Sequence, residues 1–405
     1  MDFEKKQRYL GEKGLIFFIT LMNMYIPLST DIYLPALPSM EVYFKANTSL
    51  TSLTLSSFMF LYAFGLLIWG PISEKYGRKK ILIINFIIYI LSSLMCVYAG
   101  SIYNLIVMRA LQGIGSGGIT SVSMAIVKDS FSGKKRDKIL ALVQSMAGIA
   151  PIVAPILGAW ILSVTGWRTV FWVLISFSIV CLTLSFLFND TLSLNERYRG
   201  NLLGALGRLV VVAKNRRLLF PVLVFALSTL HFMGYLAISS FVYVKGFGLN
   251  ERMYSYYFAS NSIISVFGPI IYVKFLIDIN KKRLTYIFFS LNFISGISMM
   301  LIGSKASIYF MLSFVIFSTV SAAMRPFSSG MLLDKQKGDT GSTSSVISTI
   351  MTASGSLGMV IASGPWKNVI LGFGMQISIC SLLAFILWYL ICRSNISIIY
   401  QTQYK

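Results

Sequence analysis

Twelve stretches of at least 20 predominantly apolar residues follow one another along the chain. A helix of about 20 residues rises about 30 Å, which matches the hydrocarbon core of a bilayer. Lipid offers no hydrogen bonds to the backbone, so such stretches cross a membrane as helices. We therefore predict an all-α integral membrane protein with twelve transmembrane helices. The stretches lie at 14–38, 50–70, 80–99, 102–126, 139–162, 168–188, 218–242, 254–277, 284–303, 306–331, 342–365 and 368–392.

The composition agrees, because 56% of the 405 residues are hydrophobic and only 12% are charged. A net charge of +21 could indicate nucleic-acid binding, but the basic residues lie in short loops, so we expect no nucleic-acid partner. With a cytoplasmic N-terminus, the inner loops and tails carry 27 Lys and Arg and the outer loops carry 6. The positive-inside rule then predicts a multi-pass protein of the inner (plasma) membrane with both termini cytoplasmic.

The longest polar interval divides the chain into two halves of six stretches each. We predict an N-terminal six-helix bundle over 1–190, a cytoplasmic linker over 191–217 and a C-terminal six-helix bundle over 218–405, two pseudo-symmetric bundles.

A weak internal repeat supports this division. Two segments each begin with Gly-Pro and continue with an acid and then a basic cluster: GPISEKYGRKKIL at 70–82 and GPIIYVKFLIDINKKRL at 268–284. Paired six-helix halves are typical of alternating-access transporters.

Asp31 is the only acid well inside an apolar stretch of the first half. A carboxylate at that depth is costly and is normally paired or functional. Arg109 is predicted at a similar depth, because each residue lies seven positions from the outer end of its stretch. Desolvation disfavours the ionised form of a carboxyl group, whereas a nearby guanidinium favours it. Two interpretations of Asp31 therefore stay open: a carboxylate paired with Arg109, and a carboxyl group that exchanges protons.

The loop GPISEKYGRKK at 70–80 resembles the loop between helices 2 and 3 of the major facilitator superfamily. The resemblance implies a charge latch that holds one transport state, although the family usually has aspartate at the position of Glu74. An ordinary positive-inside loop is the alternative. The latch residues that the resemblance implies are Gly70, Glu74, Gly77, Arg78 and Asp129.

Two further stretches resemble motifs of the same superfamily. IVMRALQGIGSGG at 106–118 is similar to its helix 4 motif, which implies that Arg109 and Gln112 take part in proton coupling. A purely structural role for Arg109 is the alternative. SMAGIAPIVAPILGAWI at 145–161 resembles the antiporter motif of drug:proton exchangers, which implies export. The motif residues there are Gly148, Pro151, Pro155 and Gly158.

STDIYLPALPSM at 29–40 resembles the end of helix 1 in the Bcr/CflA branch (bicyclomycin and chloramphenicol resistance), close to MdfA-type exporters. An acid in helix 1 of that branch is implicated in proton coupling, and Asp31 falls on its position. Some MdfA-type members have a second acid where this chain has Asn23, so their handling of divalent cationic drugs is not implied. The resemblance also implies a substrate cavity formed by Tyr33, Leu55, Met59, Ala147, Pro151, Phe232, Met233 and Leu236.

His231 and Arg325 also lie inside apolar stretches, in the second half of the chain. His231, the single histidine, is interpreted as a structural residue rather than a proton relay. Arg325 is interpreted as an anchor whose long side chain reaches the inner headgroups.

The chain has no phosphate-loop or catalytic motif, and its four cysteines lack metal-ligand spacing. We therefore predict a protein that is not an enzyme, has no metal site and needs no cofactor. The favoured function is proton-driven efflux of drugs or other small amphipathic molecules by a monomer. The alternatives are a dedicated exporter of one metabolite, such as a siderophore, sugar or amino-acid derivative, and a membrane-embedded enzyme or sensor.

Overall fold

The computed structural model describes residues 7–198, 200–333 and 340–394. Within these residues, twelve helical segments are long and apolar enough to cross a membrane. The predicted all-α membrane fold with twelve spans is therefore confirmed.

The first span, Gly11–Phe44, is a series of short helices rather than one continuous helix. Prolines within the span lack a backbone N–H and interrupt the helical hydrogen-bond ladder, which accounts for the short pieces. The span ends where Lys45 adopts a left-handed backbone at φ 49°, so it ends beyond the predicted position at 38. The pieces are α1 (Gly11–Asn23), α2 (Tyr25–Asp31), a 3-10 turn (Leu34–Ala36) and α3 (Leu37–Phe44).

The second to sixth spans are single helices. They are α4 (Thr48–Tyr76), α5 (Arg78–Val97), α6 (Ile102–Ser130), α7 (Gly133–Val164) and α8 (Arg168–Leu187). The side chains of Asn47 and Ser101 cap α4 and α6 by accepting from backbone N–H groups three residues later.

The remaining helices follow a short helix, α9 (Leu202–Ala213). They are α10 (Arg216–Phe241), α11 (Glu251–Ile271), α12 (Lys281–Ile302), α13 (Ser307–Leu333), α14 (Thr340–Ala362) and α15 (Val369–Arg393). The seventh and eighth spans continue past α10 and α11 through π-helical turns at Val242–Gly246 and Tyr272–Leu276.

Contacts divide the chain into two compact units, residues 1–208 and 209–405, and the division falls inside the predicted linker. In the first unit, α4 packs against α6 at very short range. A Cβ atom at Gly113 or Gly117 of α6 would collide with the backbone carbonyls of Phe58 or Tyr62 in α4. Small residues four apart thus allow two helix backbones to touch.

The same packing order occurs in each unit. In the first unit, the first span packs on the fifth, the second on the fourth, and the third on the fourth and sixth. In the second unit, the corresponding spans pair in the same way: the seventh packs on the eleventh, the eighth on the tenth, and the ninth on the tenth and twelfth. Gly158 of α7 meets the backbone of Ile32, and Gly358 of α14 meets the backbone of Leu230 in the corresponding pair. The internal repeat in the sequence therefore has a structural counterpart.

Candidate coupling and latch sites

Asp31 is the last residue of α2 and lies at a break in the first span. Its side chain is buried, and the hydroxyl of Thr30 donates a hydrogen bond to Oδ1 at 2.9 Å. The next residue, Ile32, is held against α7 at Gly158, where no Cβ atom could fit. Among the described residues, no basic side chain forms an ion pair with Asp31. The carboxyl group therefore lies in the interior of the first unit with a neutral partner.

Arg109 is completely buried in α6. Its Nη1 donates to Oε1 of Gln112, three residues later on the same helix face, and its Nη2 donates to the carbonyl of Ser29 at 3.0 Å. The rings of Tyr33 and Phe58 cover the guanidinium, with centroids 4.5 and 4.4 Å from Cζ. Aromatic faces and neutral acceptors thus stabilise this charge.

The hydrogen bonds around Arg109 extend to the third span. Nε2 of Gln112 donates to the hydroxyl of Ser93 at 2.6 Å, and the hydroxyls of Ser29 and Tyr89 bond to each other. One network therefore joins the first, third and fourth spans at the depth of Arg109.

The predicted proximity of Asp31 and Arg109 needs a correction. Arg109 does reach the first span, but it binds the backbone carbonyl of Ser29, and the two charged groups do not form an ion pair. The depth estimate treated the first span as an unbroken helix ending at Pro38, whereas the span is broken and continues to Phe44.

The predicted latch residues Arg78 and Asp129 meet at the start of α5. Nε of Arg78 lies 2.9 Å from Oδ2 of Asp129, and Nη1 donates to the hydroxyl of Ser73 at 2.6 Å. Thr191 donates to the same carboxylate oxygen at 3.1 Å. Glu74 contributes its backbone carbonyl, which accepts from the backbone N–H of Tyr198 at 3.0 Å. Gly70, another member of the predicted latch, lies against the hydroxyl of Ser121.

A second acid, Asp190, completes this site. Gly77 has a φ of +97°, which favours glycine, and a Cβ atom there would collide with the Asp190 carboxylate. Oδ1 of Asp190 accepts from the backbone N–H of Arg78 at 3.1 Å, and Oδ2 pairs with Arg197 at 3.2 Å. Sequence reasoning missed Asp190 and Arg197, although an acid directly after an apolar stretch on a basic side was a usable signal.

The antiporter-motif residues lie in one long helix, α7, which contains both Pro151 and Pro155. Gly158 provides the contact with Ile32 described above, whereas nothing lies within 4 Å of a Cβ atom built at Gly148. The structure therefore gives Gly158 a packing role next to Asp31.

The predicted cavity residues differ in accessibility. Phe232 and Met233 are half-buried, and the side chain of Ala147 lies outside the described residues. Those that are buried within the cores of their units are Tyr33, Leu55, Met59 and Leu236.

The interpretation of Arg325 as a headgroup anchor is wrong. Its guanidinium Cζ lies 4.7 Å from the centroid of the Phe232 ring, and Phe232 is close to the middle of the span Arg216–Gly246. Helical side chains lean towards the N-terminus of their own helix, which for α13 is the predicted outer end. The charge is therefore directed towards the middle of the span.

His231 has the contacts of a core residue. Its Nε2 lies 3.1 Å from the carbonyl oxygen of Gln376, and its ring packs edge-on against Phe317 with centroids 5.4 Å apart. These contacts agree with the structural role favoured from the sequence.

Comparison with known families decides the class of protein. A model of the major facilitator superfamily matches residues 15–363. The chain belongs to this superfamily. It is thus a multi-pass membrane transporter for small molecules rather than an enzyme, and the resemblance found in its sequence is confirmed.

Sequence identity to individual superfamily members indicates the branch to which the chain is similar. The chain is 30% identical to the uncharacterized MFS-type transporter YdgK of Bacillus subtilis, over 67% of this chain and 68% of the relative. It is 25% identical to the bicyclomycin resistance protein homolog of Haemophilus influenzae, over 71% and 73% of the two chains. It is 31% identical to the multidrug resistance protein MdtL of Citrobacter koseri, over 44% and 45%. These relatives are consistent with the Bcr/CflA or MdfA-like branch.

Two solved structures share the fold of this superfamily member. The human organic anion transporter MFSD10 superposes with a TM-score of 0.69 at 18% identity, covering 95% of this chain and 100% of the other. The D-xylose-proton symporter superposes with a TM-score of 0.71 at 15% identity, covering 91% and 96%. At these identities the likeness concerns the fold alone.

Proposed function

We propose that this transporter exports drugs or other small amphipathic molecules from the cytoplasm in exchange for protons. Relatives named for bicyclomycin and multidrug resistance support the export of drugs. Proton exchange is supported by Asp31, a buried carboxyl group at a helix break with a neutral hydrogen-bond partner. The proposal includes an inner-membrane location, cytoplasmic termini, a monomeric state, and the proton gradient as the energy source without a bound cofactor.

Asp31 carries the proposal because its environment suits a group that changes charge. Protonated, it is a neutral group that the buried site accommodates; ionised, it needs water or a cation. The break between α2 and the 3-10 turn gives the segment around Asp31 a backbone that can change locally. If substrate binding favours one protonation state, linkage requires that protonation changes substrate affinity by the same factor.

Arg109 and Gln112 serve this mechanism as a positioning pair. Arg109 fixes the backbone of Ser29, two residues before Asp31, and Gln112 fixes Arg109. A change in the first span at Asp31 would therefore reach the third and fourth spans through the same network.

The latch acts at the opposite end of the first unit. Arg78 joins the start of α5 to Asp129 at the end of α6, and Asp190 adds the segment that follows α8. We propose that this charge cluster stabilises one transport state and must open for turnover.

Drug-induced proton release from the detergent-purified protein tests the proposal. Asp31→Asn removes the titratable group at nearly constant volume, so this variant should bind drug yet release no protons and lose gradient-driven export. Asp137→Asn is the matched control, since Asp137 is an exposed acid near the start of α7, and it should behave as the parent. If Asp31→Asn releases protons as the parent does, coupling lies elsewhere and His231 is the next residue to replace.

A further inference from the structure

Arg325 is a cation inside a span, and no acid among the described residues pairs with it. It lies well within α13, and in the described part of the second unit the only acids are Glu251, the first residue of α11, and Asp278, in a loop. No ion pair to Arg325 occurs among the described residues. A charge in a transmembrane helix usually faces a protein or water-filled interior and marks a functional site.

Arg325 and the exposed apolar side chains of α13 lie on different sides of the helix. Ile308 and Leu312 are 40% and 47% exposed and mark the apolar outer face of this helix. At about 100° per residue, Arg325 lies about 140° around the helix from Leu312. Ser321 and Ser328, one turn to either side of Arg325 on the same face, are both more than nine-tenths buried. Arg325 thus lies on the same side of α13 as a polar stripe formed by Ser321 and Ser328, with its own side chain exposed.

The stripe has unused hydrogen-bonding groups. No described residue accepts a hydrogen bond from the guanidinium of Arg325, although its side chain is exposed. The hydroxyl of Ser321 is buried without a hydrogen-bond partner. The buried Ser321 hydroxyl without a partner is costly, and the exposed guanidinium offers free N–H groups, so both suit a ligand that supplies acceptors.

The neighbouring ring defines the chemistry of that ligand. Phe232 lies against the guanidinium and is itself half-buried, so part of its surface is accessible. A cation–π contact with the ring uses no N–H group of the guanidinium, so its planar N–H fork is available and matches the two oxygens of a carboxylate. An apolar or aromatic body next to the carboxylate would contact the accessible part of the Phe232 ring.

We propose that Arg325, Phe232 and Ser321 form an anion site that selects substrates with a carboxylate attached to an aromatic or apolar body. The inference rests on the proposed export function and names its substrate class. Lipophilic cations are disfavoured at this site by the charge of Arg325.

Two dyes with the same xanthene ring system and opposite charge test this selection. Fluorescein is an anion with a carboxylate, and rhodamine 123 is a cation. Binding to the detergent-purified wild-type protein at pH 8 is followed by fluorescence anisotropy. We expect fluorescein to bind at least tenfold more tightly than rhodamine 123. Equal affinities, tighter binding of rhodamine 123, or no binding of fluorescein would each overturn the inference without any variant.

Variants then assign the selection to the site. Arg325→Gln should weaken fluorescein binding at least tenfold without weakening rhodamine 123, and Arg325→Lys should retain part of the affinity because it keeps the charge but loses the planar fork. Phe232→Leu should weaken fluorescein binding severalfold. Arg283→Gln and Phe267→Leu, both at exposed positions, are the controls and should bind as wild type. Wild-type fluorescein affinity in Arg325→Gln would place the anion elsewhere.

The outcome separates this inference from the proposed antiport. Dye binding in detergent needs no gradient, so the preference for fluorescein is measured without any proton-coupled step. A protein that prefers fluorescein but shows no proton coupling would refute the antiport and keep the anion site. A protein that exports drugs with proton exchange but binds both dyes equally would refute the anion site and keep the antiport.

Discussion

The ion pair between Arg78 and Asp129 gives a quantitative prediction for the latch. Replacing either residue by alanine leaves the other charge without its partner and also removes a bond to Ser73 or Thr191. Because the two charges act through each other, Arg78→Ala, Asp129→Ala and the double variant should have effects that are strongly non-additive.

The magnitude follows from burial and geometry. The side chains of Arg78 and Asp129 are 6% and 18% exposed, and their closest N–O distance is 2.9 Å. An exposed ion pair contributes less than about 1 kcal/mol, whereas a hydrogen bond to a charged group contributes about 1.5–3 kcal/mol. We expect a coupling energy of about 2 kcal/mol, which corresponds to about a 30-fold shift between the latched and unlatched states.

The assay is the initial rate of drug uptake into everted membrane vesicles, with protein amounts equalised by immunoblot. Each single variant should be slowed up to about 30-fold, and the double variant should be no slower than the slower single variant. Lys128→Ala is the matched control, because Lys128 precedes Asp129 but is exposed, and it should transport as the parent. Normal turnover in Arg78→Ala, or multiplicative effects in the double variant, would refute the latch and leave the loop as a topology signal.

Three further predictions concern topology, packing and the buried guanidinium. In a Cys-free background, Lys45→Cys should react with an impermeant thiol reagent added outside intact cells and Ser132→Cys should not; the opposite pattern would invert the topology. Gly113→Ala should lower the thermal unfolding midpoint in detergent because its methyl group meets the Phe58 carbonyl, while Gly148→Ala, with open space around it, should not; equal midpoints would refute the close-packing argument. Arg109→Lys keeps the charge but cannot donate from two fixed nitrogens to both Gln112 and Ser29, so it should destabilise the protein by about 2–4 kcal/mol; an unchanged midpoint would show that charge alone suffices.

The spans could be predicted because their length and apolar character are local properties. Where the first span breaks was not predictable to the residue, since Pro27, Pro35 and Pro38 show that the ladder is interrupted but packing decides where it resumes. The Arg78–Asp129 pair was expected from a motif resemblance, whereas Asp190 joins it from a segment more than 100 residues away. Such a contact depends on tertiary structure, for which the local sequence carries no pattern.

Arg325 shows how a local rule can give the wrong result. A long basic side chain near a helix end was expected to reach the nearer headgroups, a rule that assumes lipid around it. Packing placed Phe232 beside the guanidinium instead, and that neighbour comes from a helix nearly 100 residues earlier in the sequence.

The repeated packing order has a consequence for how the chain is made. Each of the first six spans packs on other members of the first six, and each of the last six packs on other members of the last six. Because translation is slow compared with helix packing, the first unit can close its core while the ribosome is still adding the second. A nascent chain released after α9 should then already resist proteolysis in the membrane. Two separately synthesised fragments, divided between α9 and α10, should each insert as a folded body.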